Sequence, residues 1–350
     1  MKKTFLFIIS AILLLTSCEK QIDIDVDALD PEVVICAIGE TGSPLQVRLT
    51  YSRPTFGTFY VRNDENYFQE ITDAIVTLST NGGGSMTATR DDGYYAFTYL
   101  PQAGDQLTLN INVPGHKSVT AKAIVPKEPL VGELSLTTKT DSPDIDNNTK
   151  VNISLFVPII DRASETDYYS IKMYRCDTAY YTYYDDTGAV MLYDTITDIQ
   201  DWFECQDQLI VDQTNPENVL EDLSIPTFFG SEMLFTDDHL NGSTHTIELK
   251  TSFYLDSYEY GRGYIDDGYG NYIETPYNYT SVVHSTFYVE VSTLSRDLYL
   301  YRQTMNSYSD DDLLSFFSEP VQIHSNIDEG IGILGVANKK TLTYQFNLQP

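Results

Sequence analysis

From Glu32 onward, hydrophobic and polar residues alternate along the chain with a period of two. Val, Ile, Thr, Tyr and Phe recur at alternate positions in short runs, and clusters of Gly, Asn, Asp and Pro separate one run from the next. This alternation is typical of strands that have one buried face and one face in water. The sequence therefore predicts a mainly β protein.

The first group of strands lies within residues 32–126 and has the regular spacing of a small sandwich. Gly39-Glu40-Thr41-Gly42 separates the first two runs and predicts a hairpin. The order of strands and turns resembles that of transthyretin-like modules, so this block is predicted to form a transthyretin- or Ig-like β-sandwich. The predicted strands are Glu32–Ile38, Leu45–Tyr51, Ala74–Ser79, Tyr94–Tyr99, Gln106–Val113 and Ser118–Val125.

Residues 127–148 are rich in Pro, Asp, Thr and Ser, which predicts a linker. A second β-rich sandwich domain is then predicted over residues 149–350, with long irregular loops between its strands. Its predicted strands are Val151–Val157, Tyr168–Arg175, Ile247–Tyr254 and Ser285–Ser292.

One segment of this second region favours a short helix. Leu294, Leu298, Tyr301 and Met305 recur at the spacing of one helical face. Thr293 precedes this stripe, where its side chain can cap the free amides of the first turn. The stripe is expected to pack on a sheet.

The N-terminus carries a short positive segment followed by an apolar run. Residues 4–15 are too few for the roughly 20 that cross a bilayer as a helix, so residues 1–17 are predicted to be a signal peptide. Leu15-Thr16-Ser17-Cys18 resembles the lipobox of bacterial lipoproteins. That resemblance implies cleavage before Cys18 and acylation of Cys18 with fatty acids such as palmitate, whose two or three chains anchor a protein stably in a lipid bilayer. An ordinary secretory signal is the alternative.

Residues 18–31 are polar and acidic, leave no apolar face, and are predicted to form a tether. Acidic residues soon after a lipidated Cys also resemble the surface-export signals of Bacteroidota lipoproteins. This resemblance implies an outer-membrane lipoprotein that faces the cell surface. A lipoprotein that faces the periplasm is the alternative.

The chain is strongly acidic, with 21 basic and 51 acidic side chains and a formal charge of −30. Phosphate backbones and anionic head groups repel such a chain, which argues against nucleic-acid partners and against polybasic docking on membranes. Hydrophobic residues make up 42% of the sequence, enough to build a core.

Of the four cysteines, Cys18 is assigned to lipidation. A disulfide between Cys176 and Cys205, which would close the insertion between them, and two free thiols are the alternatives. Cys36 lies among aliphatic residues and is interpreted as a buried small hydrophobic residue. The sequence contains neither a C-x-x-C motif nor two His at metal-ligand spacing, so no metal and no cofactor are predicted.

A glycine-rich segment, DEGIGILG at residues 328–335, lacks the Lys and the helix start of a phosphate-binding loop. Its alternation predicts a strand instead, in which Gly330, Gly332 and Gly335 mark a bulge or a close approach of another strand. Asn326 is expected at a turn.

No catalytic motif is present, and the protein is predicted not to be an enzyme. Acidic pairs such as Asp237-Asp238 leave open a structural Ca²⁺ site or a pair of carboxylates for glycoside hydrolysis. With 51 acidic residues in the chain, the sequence does not single out any one pair.

Tyrosines concentrate in residues 180–184 and 258–279. Tyr beside Gly, Asn and Asp gives amphipathic contact area with adaptable hydrogen bonds, which suits ligand recognition. Alternatively, these rings fill half-exposed sheet positions. The single Trp, Trp202, argues against a dedicated sugar-stacking platform. The candidate ligand-binding residues are Tyr258, Tyr260, Tyr264, Tyr269 and Tyr272.

Five segments carry a further resemblance: LTSC, PEVVICAIGETGSPLQVRLTYSRPTFG, TDAIVTLS, LFTDDHLNGSTHTIEL and SEPVQIHSNIDEGIGILG. Together they are similar to a family of Bacteroidota lipoproteins catalogued as domain of unknown function 4249. The resemblance implies a non-enzymatic surface lipoprotein that accompanies a TonB-dependent outer-membrane receptor in nutrient uptake, either by capturing a small-molecule, glycan or peptide cargo or by docking on the receptor. A stand-alone adhesin that binds glycans or peptides is the alternative.

Overall fold

A computed structural model describes residues 31–52, 69–142, 149–185, 188–211, 213, 227–240, 242–255, 261–266, 272–306 and 322–347. Within 177–201 and 253–284 it describes the backbone alone. The mainly β prediction is confirmed, and every predicted strand overlaps an observed one.

The largest sheet has ten strands, of which eight follow one another in the order β12 (Gly188–Asp201), β11 (Tyr168–Asp185), β18 (Tyr272–Leu294), β20 (Ile331–Asn347), β1 (Val33–Glu40), β2 (Gln46–Tyr51), β6 (Tyr94–Ala96) and β5 (Thr89–Asp91). Two more strands lie off this path. They are β15 (Glu232–Thr236), which pairs with β11, and β17 (Gly261–Asp266), which pairs with β18.

Two five-stranded sheets cover this large sheet. One has the order β19 (Ile327–Asp328), β8 (Val119–Ile124), β7 (Gln106–Asn112), β3 (Ile75–Thr80) and β4 (Ser85–Thr87). The other has the order β14 (Phe228–Gly230), β13 (Phe203–Cys205), β16 (Thr244–Leu255), β10 (Thr149–Ile160) and β9 (Ser135–Thr140). The described helices are α1 (Gln208–Val211) and α2 (Arg296–Asn306).

Each five-stranded sheet encloses a hydrophobic core against the large sheet. The N-terminal core contains alternate residues of β1, β2, β3, β7 and β8, such as Leu49 and Leu109. The second core contains alternate residues of β10, β11, β16 and β18, such as Leu155 and Phe287. The period-two pattern therefore corresponds to strands with one face in a core, as the sequence predicted.

Strand β20 contributes to both cores. Its first part runs parallel to β1, from Val34 opposite Ile331 to Glu40 opposite Ala337, and Leu334 and Val336 lie in the N-terminal core. Its second part runs antiparallel to β18, and Tyr344 packs against the second core. Residues 327–337, which belong to the predicted second domain at 149–350, therefore contribute to the N-terminal core, and the domain bounds stay a prediction. Parallel pairing between distant segments leaves no local signal in a sequence.

The described part of the predicted linker at 127–148, which is residues 127–142, packs against the second sheet and is not a free connection. It contains strand β9, which pairs with β10, and Leu134 is buried in the second core. The N–H of Ile160 donates to the carbonyl of Leu130 at 2.8 Å. Polar composition suggested a linker because β9 is an edge strand whose residues are mostly exposed.

The predicted irregular insertions are largely strands. Strand β11 continues to Asp185 and pairs with β12, and β18 begins at Tyr272 and pairs with β17. The register places Tyr181 opposite Tyr279 and Tyr183 opposite Tyr277, so the two tyrosine-rich segments are neighbours in one sheet. Their Tyr, Thr and Val residues have high strand propensity, which explains this extension.

The helix forms, but it begins later than predicted. Thr293 is the penultimate residue of β18 and donates its hydroxyl to the carbonyl of Asn338 at 3.3 Å, so it does not cap the helix. Leu298 and Tyr299 are buried, whereas Met305 is 38% exposed. The predicted helical face began at Leu294, but Leu294 is the last residue of strand β18, and the helix begins at Arg296.

Candidate functional site

An open cleft of about 440 Å³ lies on the outer face of the sheet β14-β13-β16-β10-β9. Alternation on β10 sends Val151 and Leu155 into the core, and leaves Lys150, Asn152 and Ser154 at the cleft. The remaining lining residues are Ile153, Trp202, Glu204, Phe229, Lys250, Thr251 and Ser252.

Two exposed aromatic rings form one wall of the cleft. Trp202 is 56% exposed and Phe229 is 46% exposed, and their ring centroids are 5.4 Å apart with planes tilted by 46°. Their sequence neighbours Phe203 and Phe228 point the other way and are buried in the second core. Each aromatic doublet therefore has one ring in the core and one in solvent, which anchors the cleft wall to a packed interior.

Polar side chains form the floor beside these rings. Glu204 lies opposite both Phe229 on β14 and Lys250 on β16. The side chain of Gln206 donates to Glu204 Oε1 at 2.7 Å and accepts from Lys250 Nζ at 3.3 Å. This chain of hydrogen bonds holds the Glu204 carboxylate and the Lys250 ammonium in place.

The far side of the cleft is formed by β10. Asn152 Nδ2 donates to Asp141 Oδ2 at 2.9 Å, which fixes the amide. Lys150 Nζ forms no hydrogen bond or ion pair with any residue in the described ranges. The lining thus carries two ammonium groups and one carboxylate, in a chain whose net charge is −30. Stacking surface beside polar groups of fixed position is the chemistry of a binding site.

The described lining of this cleft includes none of the tyrosines predicted as ligand contacts. Tyr264 lies on β17 opposite Glu274, and Tyr272 lies on β18 opposite Asp266, and only their backbones are described. Tyr258, Tyr260 and Tyr269 lie outside the described residues, as does Cys18. Ligand binding by these tyrosines stays a prediction.

The three cysteines that the structure describes, Cys36, Cys176 and Cys205, are free thiols in it, and the disulfide between Cys176 and Cys205 stays a prediction. Cys205 is buried in the second core, whereas Cys176 alternates with the core residue Met173 and lies on the outer face of β11. Cys36 is exposed rather than buried, because the odd-numbered residues of β1, such as Ile35, face the core. Burial raises the pKa of the Cys205 thiol to about 11, which keeps it protonated and unreactive.

Three aspartates meet at one end of the second core. The N–H of Asp167 donates to Asp237 Oδ2 at 2.8 Å, and Arg162 pairs with Asp167 at 2.7 Å. The pKa of Asp237 is raised to about 6, mainly by burial. The hydrogen bond from the N–H of Asp167 lowers this pKa, whereas the nearby Asp161 carboxyl raises it further. Within the described ranges, no group of three or more His, Cys, Asp or Glu side chains is arranged to hold a metal ion.

The glycine-rich segment forms the start of β20, and the predicted close approach is confirmed. Gly332 has a φ of +118°, and a Cβ built there would lie 1.9 Å from the carbonyl oxygen of Ile35. Gly335 packs against Leu298 of α2, and a Cβ added at Gly335 would lie 2.7 Å from the Cβ of Leu298. Asn326 Oδ1 accepts from the N–H of Leu334 at 2.9 Å, which fixes the turn before the strand.

Sequence reasoning missed the role of Trp202 and Phe229. A single Trp argues against a sugar-stacking platform in the sequence, but in the fold Phe229 supplies a second ring beside it. A local signal was present in the two aromatic doublets, Trp202-Phe203 and Phe228-Phe229, because adjacent strand residues face opposite sides of a sheet.

A family model described as "Domain of unknown function (DUF4249)" matches residues 19–343. The chain belongs to this family. The DUF4249 match spans both cores and every residue that lines the cleft. A search of curated proteins finds no match. Among the residues that the structure describes, no helix has the length and hydropathy needed to cross a membrane.

Proposed function

We propose that this protein is a non-enzymatic binding lipoprotein of the outer membrane that captures a nutrient in the Trp202 cleft and serves a TonB-dependent receptor. The observation that carries the proposal is the cleft itself. It joins an exposed aromatic pair to polar side chains that are held by hydrogen bonds. Such a site binds and orients a ligand.

Anchoring is supported by the sequence before the first strand. Acylated Cys18 holds the protein at the bilayer, and residues 19–31 form the acidic tether. At about 3.3 Å per residue, thirteen extended residues reach roughly 40 Å. A cleft on such a tether samples the space around a neighbouring receptor, which raises the effective concentration of captured cargo there.

Capture of the partner from native outer membranes tests this proposal. A C-terminally tagged protein is purified in mild detergent, and co-purifying proteins are identified by mass spectrometry. We expect a β-barrel receptor with the wild-type protein and its loss with Cys18→Ala, which removes the acylation site. A wild-type protein that carries acyl chains but recovers no barrel would contradict the receptor partnership.

A stand-alone adhesin that binds glycans or peptides is the second candidate. The exposed aromatic pair and the polar side chains beside it suit ligand recognition by such an adhesin as well. Whole-cell adhesion distinguishes the two candidates. An adhesin keeps its ligand-dependent adhesion in cells that lack TonB, whereas nutrient uptake through a TonB-dependent receptor stops.

A further inference from the structure

We infer that the Trp202 cleft takes an acidic oligosaccharide, that is, a short glycan that carries carboxylate groups. This assignment rests on the proposed binding role of the cleft and names its ligand class. Three features support it: the exposed rings, the charge of the lining, and the direction in which the lining residues are arranged.

The exposed rings favour a sugar face. The face of an indole or phenyl ring is electron-rich, and it complements the partially positive C–H groups on the face of a pyranose ring. Trp202 and Phe229 are tilted by 46° and offer two planes at an angle rather than one flat slot. Two tilted planes fit successive rings of a glycan, whose linkages turn each ring relative to the next.

The charge of the lining favours an acidic ligand. Lys250 is already held by Gln206 at 3.3 Å and approaches Glu248 at 3.8 Å. Lys150 has no such partner among the described residues, so no described carboxylate competes with a ligand for its ammonium. Hydrogen bonds between two charged groups are stronger than neutral ones. In a chain of charge −30, a lysine that lacks a partner in the described ranges and lies beside two exposed rings favours anionic cargo at this point.

The lining residues form a row across the strands. Phe229 lies opposite Glu204, Glu204 opposite Lys250, and Lys250 opposite Ser154. Three steps between neighbouring strands span about 14 Å. This row is longer than one pyranose ring, so the cleft accommodates an oligosaccharide, with ring stacking at one end and hydroxyl hydrogen bonds towards the other.

Direct binding measurements with defined trisaccharides test the assignment. Full-length acylated protein in detergent is titrated, by calorimetry, with tri-galacturonate, tri-guluronate and tri-glucuronate, with neutral galactotriose, and with the peptide Asp-Asp-Asp. We expect at least one acidic trisaccharide to bind, at least tenfold more tightly than galactotriose and the peptide, and with an affinity that falls as salt is raised.

Variants then locate the site. Trp202→Ala is expected to weaken binding of the acidic trisaccharide at least tenfold, and Lys150→Gln several-fold. Two matched controls are expected to stay within twofold of the wild type: Tyr94→Ala removes an aromatic ring that is 39% exposed on β6, and Lys122→Gln removes an exposed lysine on β8. Circular dichroism checks that each variant is folded.

Three results would overturn the assignment: no binding of any acidic trisaccharide, equal binding of galactotriose or the peptide, or binding that a folded Trp202→Ala variant retains. These results are separable from failure of the receptor proposal. Trisaccharide binding without recovery of a β-barrel contradicts only the receptor partnership, and recovery of a barrel without trisaccharide binding contradicts only the ligand class.

Discussion

Two aromatic doublets, Trp202-Phe203 and Phe228-Phe229, divide their rings between the core and the solvent face of one sheet. Aromatic side chains at adjacent positions therefore have different roles. The buried rings stabilise the fold, because they remove apolar surface from water. The exposed rings leave that surface available to a ligand.

This division predicts that substitutions at two neighbouring residues change the free energy of unfolding by very different amounts. Phe203→Ala is expected to lower the free energy of unfolding by about 3–5 kcal/mol, because it leaves a cavity in the second core. Trp202→Ala is expected to change it by less than about 0.5 kcal/mol. Urea denaturation followed by circular dichroism measures both. A large loss of stability in Trp202→Ala would show that the ring is structural.

The buried Asp237 predicts a pH dependence of stability. Its pKa is about 6 in the folded protein, above the ordinary value of about 3.9 for an unfolded chain. A raised folded pKa means that folding takes up a proton, so this contribution is fully present below about pH 4 and is lost as the pH rises through 6.

Asp237→Asn removes this titration while retaining a side-chain oxygen for the N–H of Asp167. From pH 4 to pH 7, the unfolding free energy of the wild type is expected to fall relative to that of the variant by on the order of 2 kcal/mol. Denaturation curves at both pH values give this difference. Parallel behaviour of the two proteins would contradict the assignment of the proton to Asp237.

At the level of elements, the packing of β20 depends on glycines that the sequence pattern already marks as positions of close approach. The alternation of residues 328–335 predicted a strand, and Gly332 and Gly335 are where other segments approach most closely. Alternation is a local property, so it can be interpreted without knowing the partner strand. The identity of that partner, β1, was not predictable because it lies almost 300 residues away in sequence.

Gly332→Ala is expected to destabilise the protein by at least about 3 kcal/mol, because a Cβ would meet the Ile35 carbonyl at 1.9 Å and φ is +118°. Gly84→Ala is the matched control, since nothing lies within 4 Å of its Cβ position. The control is expected to change the unfolding free energy by less than about 0.5 kcal/mol. Similar stability of the two variants would contradict the close approach.

At the scale of the whole molecule, the continuous strand β20 links the two cores. Leu334 lies in the N-terminal core, and Tyr344 packs against the second. The alternation of hydrophobic and polar residues predicts the mainly β fold, but local polarity and position in the chain do not reveal where residues 127–142 and 327–337 pack. Their placement depends on pairing between distant segments, which single-sequence patterns do not contain.

This link predicts cooperative unfolding of the two cores. Leu334→Ala, in the N-terminal core, is expected to lower the denaturation midpoint seen by the fluorescence of Trp202, which lies on the other five-stranded sheet. The single Trp makes this signal specific to the distant sheet. Circular dichroism is expected to give the same midpoint. An unchanged fluorescence midpoint would show that the cores unfold independently.

The parallel pairing of β1 with β20 also sets an order of events during biosynthesis. Strand β1 can pair with β2 early, but it lacks its second neighbour until Ile331–Ala337 has been made, so the N-terminal sandwich cannot close before then. Its hydrophobic strands stay uncovered during that interval, which exposes them to aggregation. Delayed pairing of β1 therefore lengthens the interval in which the nascent chain is open to aggregation.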